Sequence, residues 1–138
     1  EMPVGTYKNA HRHPPDFHVF AVNGFGYSLF WYEGDDEYER VDWRHGVVFA
    51  PADQMFHQHF NTSPEPARYL ATAFGSAIYP ILDAKRKVYD GSFMLGPESQ
   101  IDYSDQDPRI HQMFKDELAE SGAEVQMQGL VDDHVAAG

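Results

Sequence analysis

Apolar and polar residues alternate in short stretches through the first seventy-five positions of the chain, and this period-two pattern with frequent turn residues predicts strands. Phe17 to Val22 and Tyr27 to Tyr32 are aromatic and β-branched runs joined by Asn23-Gly24-Phe25-Gly26, which reads as the turn of a β-hairpin. Glu33-Gly34-Asp35-Asp36-Glu37 is acidic enough to be a solvated tip, leading into a strand from Tyr38 to Trp43. Gly46 to Ala50, Phe56 to Asn61 and Ala67 to Phe74 complete the series, punctuated by Pro51, Pro64 and Pro66. Short strands at such spacing predict an antiparallel sandwich or barrel.

The last third changes period. Asp107-Pro108 is a helix start, with a side chain able to cap and a proline at the first helical position. Ile110, Met113, Phe114 and Leu118 then share one face and Gly122 supplies a stop, so an amphipathic helix is predicted near 108–121 with His111 on its exposed side. Residues 79–90 fit a short helix and an extended chain about equally.

With 138 residues, 42% of them hydrophobic, the chain has material for one core. The pattern divides it into a barrel core over residues 1–78 and a C-terminal extension over 79–138. Ten basic against 22 acidic residues give a net charge of −12, which repels a phosphate backbone and an anionic lipid surface; neither nucleic acid nor membrane is expected as a partner. No apolar run reaches the roughly 20 residues of a membrane span. Glu1-Met2-Pro3 lacks the features of a signal peptide, so the expected location is the cytoplasm.

The chemistry is concentrated in histidine. His11-Arg12-His13 and His57-Gln58-His59 each place two imidazoles on one side of an extended chain, and with no cysteine anywhere a thiolate site is excluded. Imidazole suits zinc, copper, iron and nickel. Arg12 alternates away from that side. His45, beside Gly46, reads as a loop residue and His134 as part of a tail. Arg40, Arg44 and Arg68 are each candidates to clamp a substrate carboxylate. Phe17, Phe20, Phe25, Phe30, Trp31, Trp43 and Phe60 read mainly as core, with some lining an apolar cavity.

The spacing Gly5, five residues, His11-x-His13, four residues, His18, then Gly24 resembles the first motif of the cupin superfamily. Gly46, Pro51, His57 and Asn61 resemble the second, although Asp53 stands where glycine is usual and one extra residue precedes His57. The likeness covers residues 5 to 61. It implies an all-β cupin (jelly-roll) barrel with the helix appended. In the common pattern position 18 is glutamate; histidine there makes a neutral set of up to four rings. H-R-H followed by aromatic-H-x-H-x-N is similar to gentisate-type ring-cleaving cupin dioxygenases. That resemblance implies His11, His13 and His57 as metal ligands, His18 as a candidate fourth, and His59 as either a supporting neighbour of the ligands or a catalytic acid-base group.

The implied activity is that of a non-haem iron(II) dioxygenase. It would cleave a small oxygen-chelating substrate, an aromatic acid or a dicarbonyl, with O2 as co-substrate. The same residues fit a non-catalytic metal- or ligand-binding cupin, or an isomerase or hydrolase using zinc, manganese or nickel. Cupins carry about two strands before the first motif, and only ten residues precede His11. The expectation is therefore that the chain is the C-terminal piece of a longer polypeptide, or that a homo-oligomer or second chain donates the missing strands.

Overall fold

The computed structural model describes residues 1–13, 17–52, 54–73 and 99–131. Asp53, the 79–90 stretch and His134 lie outside the described residues. The strands are β1 (Ala10–His11), β2 (Phe17–Asn23), β3 (Phe25–Trp31), β4 (Glu39–Arg44), β5 (Val48–Phe49), β6 (Phe56–Asn61), β7 (Arg68–Ala73) and β8 (Gln100–Ile101), followed by one helix, α1 (Pro108–Ser121). They form two antiparallel sheets, a five-stranded one in the order β4-β3-β6-β1-β8 and a three-stranded one in the order β5-β2-β7. Among the described residues the fold is all-β with a single helix, and the sheets do not close into a barrel. No described helix is long and apolar enough to cross a membrane.

The expected β2–β3 hairpin is absent. β2 pairs with β5 and β7, whereas β3 pairs with β4 and β6, so the chain changes sheet between them. Gly24 is the corner. Its φ of +77° belongs to the left-handed region, and a Cβ there would come within 2.8 Å of the Ala67 Cβ. The sequence signal for a tight glycine turn was real, but the same backbone freedom serves a change of sheet.

β6 is buried along its whole length, and its alternation assigns two different jobs to its two faces. Phe56, Gln58 and Phe60 register with Trp31, Leu29 and Tyr27 of β3. This face meets α1: Tyr7, Tyr27, Leu29, Trp31, Phe60, Ile110, Phe114 and Leu118 form one apolar cluster. Tyr27 and Phe60 stack at 4.4 Å, an arrangement that adds about 1 kcal/mol beyond the area it buries. The described part of the C-terminal third is thus an integral layer: α1 covers the sheet, and β8 extends it beside β1.

His57, His59 and Asn61 occupy the other face of β6, which looks towards the three-stranded sheet. Met2, Ala21, Trp43 and Ala67 pack between the sheets at one end, with Val47, Phe49 and Tyr69 around them. The N-terminal segment is tied along β6 by the amide of Asn61, which donates to the carbonyls of Met2 and Pro3, and by Lys8 N–H, which donates to the His59 carbonyl at 3.2 Å.

Three side chains depart from expectation. His111 is buried on α1, with Nδ1 3.0 Å from the Tyr7 hydroxyl, and Gln106 donates to that hydroxyl at 2.7 Å. A partner 104 positions away makes a polar residue at the border of the helix's apolar face acceptable inside. Phe20 and Phe25, expected in the core, are 37% and 44% exposed. Phe20 belongs to the outward set of β2, and Phe25 stands at the corner after Gly24.

Candidate metal centre

His11 and His57 are direct register partners across the β1–β6 pairing, which places their rings on one face with centroids 4.4 Å apart. His13 follows just beyond β1, with its centroid 5.4 Å from that of His11 and 4.8 Å from that of His57. One ligating nitrogen from each of the three lies within 4.8 Å of the other two. Bonds of about 2.1 Å to one ion need nitrogens about 3 to 3.5 Å apart, so the set is open by roughly an ångström relative to a closed site. Small side-chain rotations cover that difference.

Backbone carbonyls fix the tautomers. His11 Nδ1 lies 3.0 Å from the Asn9 carbonyl and His57 Nδ1 lies 3.2 Å from that of Met55. A carbonyl only accepts, so each ring carries its hydrogen on Nδ1 and presents the lone pair of Nε2. Burial removes the remaining obstacle, which is protonation. It pushes His57 down to about 3, helped by the neighbouring charge of His11, and it lowers His11 despite the Asn9 hydrogen bond. Both rings are neutral at pH 7 and able to ligate.

A cavity of about 160 Å³ adjoins the three rings, walled by Phe17, Val19, Pro51 and Tyr69 and reached by Lys8. His59 lines the same cavity, its ring centroid 5.7 Å from that of His57. Its Nδ1 is 2.7 Å from Ser28 Oγ, which accepts the Trp43 indole N–H at 3.1 Å. Because an indole can only donate, the serine's own proton is left to donate to Nδ1, and His59 then carries its hydrogen on Nε2. Burial, with the charges of His57 and His11 as lesser causes, holds His59 well below the ordinary imidazole range.

No family model, curated protein or solved structure matches this chain.

His18 is not brought to the centre. β2 turns Phe17 and Val19 to the cavity, and strand alternation then points His18 outward, where it is exposed beside Thr72 of β7. The neutral set therefore contains three rings. His45 lies in the turn after β4, with Nδ1 2.6 Å from the Val22 carbonyl. Arg12 faces away from the centre, stacked over Phe56 at 4.5 Å and paired with Glu33. None of the candidate clamps lines the cavity. Arg40 pairs with Asp42 and Glu117 over the Tyr27 ring, Arg68 pairs with Glu1, and Arg44 is exposed.

Sequence reasoning missed Lys8, Ser28 and Tyr69. Ser28 had a readable signal, since it is the one small polar residue in the otherwise aromatic and aliphatic run Tyr27 to Trp31. Lys8 and Tyr69 had none, because they reach the cavity only through long-range pairing.

Proposed function

We propose that the chain is a metal-dependent cupin of the jelly-roll type, acting as a non-haem iron(II) dioxygenase on a small substrate that chelates through two oxygens. A single observation carries the reading: His11, His13 and His57, buried or half-buried, converge at the wall of a small cavity. Three neutral nitrogen donors on one side of an ion leave the opposite positions open, which suits substrate chelation and oxygen chemistry. The ion would supply Lewis acidity and a one-electron couple between an electron-rich substrate and dioxygen.

The protein's own contribution is positioning and proton control. The Asn9 and Met55 carbonyls hold the ligating rings in one tautomer, while Phe17, Val19 and Pro51 exclude water from the reacting side. His59, oriented by Ser28 and Trp43 with its hydrogen on Nε2, donates a hydrogen bond from Nε2 to a substrate oxygen and steadies the charge that develops there as the substrate hydroxyl loses its proton to water.

Metal analysis of the purified protein, then oxygen uptake with a panel of catechols, hydroxybenzoates and diketones, tests the proposal. Iron with substrate-dependent oxygen consumption is expected. Zinc, manganese or nickel in its place, or no consumption, overturns the dioxygenase and favours an isomerase, a hydrolase or a binding module. His13→Ala abolishes metal binding and turnover together, and retained turnover sinks the assignment of the ligands.

A further inference from the structure

The cavity beside the three histidines is lined by one cation, Lys8, and by no carboxylate among the described residues, in a chain whose net charge is −12. Lys8 is there because of how the N-terminal segment runs. Its N–H pairs with the His59 carbonyl, while the preceding Tyr7 packs on the far side against Phe60 and Phe114, which turns Lys8 to the histidine face of β6. The ammonium lies 5.3 Å from the centre of the Tyr69 ring, and among the described residues it pairs with no carboxylate. Its charge is felt at His11, His57 and His59, where it helps to disfavour protonation.

A divalent ion on the three rings would add two positive charges to that of Lys8, and among the described residues no carboxylate lines the cavity to offset them. In a partly closed space that balance favours an anionic ligand. We infer that Lys8 is the specificity-determining residue of this site, holding the anionic end of a small carboxylate whose oxygens also chelate at the His11–His13–His57 centre. This inference rests on the metal-centre reading above.

The dimensions fit such a ligand. About 160 Å³ is the liquid volume of about five waters at ~30 Å³ each, room for a short acid. A longer one has a second space available, since Lys8 and His11 also line a neighbouring cleft of about 410 Å³. A lysine ammonium is a point charge rather than a planar fork, so it selects for charge and tolerates several carboxylate orientations.

The test uses protein loaded with cobalt(II), whose visible absorption reports ligand exchange, titrated with malonate as the anionic probe and imidazole as a neutral one. Wild type, Lys8→Met and Lys8→Arg are expected to take up cobalt alike. Lys8→Met binds malonate about tenfold more weakly, the loss expected for one charge-assisted contact at a half-open site, and Lys8→Arg restores most of it. Imidazole affinity stays the same in all three. Malonate binding indifferent to Lys8→Met, or imidazole binding weakened as much as malonate binding, overturns the role of Lys8 while leaving the metal centre standing. Failure of every form to bind cobalt overturns both.

Discussion

His11 and His57 face each other across the shortest strand pairing of the larger sheet, and each ring lies against the carbonyl two residues before it in sequence. The pair is therefore oriented by backbone rather than by neighbouring side chains, and the fold presets it before any ion arrives. A site preset in this way stabilises the folded state when filled. An ion at a hundred times its Kd contributes about 2.7 kcal/mol, or roughly 6 to 10 °C in Tm for a chain of this size. Thermal scans with and without zinc should show that rise in the wild type and none in His57→Ala. An undiminished rise in the variant would mean that the ion binds elsewhere.

The same burial that keeps the rings neutral makes the metal-free protein sensitive to acid. His11, His57 and His59 all have folded pKa values below the ordinary 6.5, and the charge facing them from the N-terminal segment is the like charge of Lys8. Below about pH 6.5 the unfolded chain takes up protons that the folded chain refuses. The stability present above that pH is then lost as pH falls towards the depressed folded values, by up to about 1.4 kcal/mol per pH unit for each such ring. Urea midpoints of chelator-treated protein between about pH 7 and 5 should fall steeply, and more gently in His57→Asn/His59→Asn. Equal slopes would mean that other groups dominate acid unfolding.

Much of this centre was legible because it depends on local parity. The two H-x-H spacings, the uninterrupted strand from Phe56 to Asn61 and the helix from Pro108 to its Gly122 stop follow from short-range rules, and the structure has the same bounds for the last two. Pairing partners have no such local signature. Gly24 has the sequence of a hairpin turn and the geometry of a sheet corner; His18 follows the outward parity of β2; and His111 goes inside for a tyrosine at the opposite end of the chain. Lys8 enters the cavity through β-pairing that nothing in its own neighbourhood announces.

That corner can be tested directly. Gly24→Ala has to hold a side chain at φ +77° and press its Cβ against the backbone and Cβ of Ala67, at 2.9 and 2.8 Å. The expected loss is about 2 kcal/mol or more by chemical denaturation, combining left-handed strain with overpacking. A change below about 0.5 kcal/mol would show that the corner relaxes freely.

At the start of α1, Asp107 accepts the Arg109 N–H at 2.8 Å and the Tyr38 hydroxyl at 2.8 Å, so one carboxylate both caps the helix and ties it to the segment before β4. Asp107→Ala should cost about 1 kcal/mol, with faster hydrogen exchange in the first turn of α1, and Asp107→Asn should recover most of it. Exchange unchanged in that turn would remove the cap from the account.

Asn61 stands on the same face of β6 as His57 but serves the fold. Its amide nitrogen lies within hydrogen-bonding distance of the carbonyls of Met2, Pro3 and Glu65, while its oxygen accepts from the Ser63 N–H and hydroxyl. Asn61→Ala strips partners from several buried groups at once and should cost about 3 kcal/mol or more, yet leave ion affinity within about twofold. His57→Ala should behave in the opposite sense, losing the ion while relieving the metal-free protein of a buried ring that resists protonation. Measured side by side, denaturation and metal titration of the two variants separate the residue that shapes the strand from the residue that ligates. If Asn61→Ala loses the ion while remaining as stable as wild type, the asparagine belongs to the centre and the division is wrong.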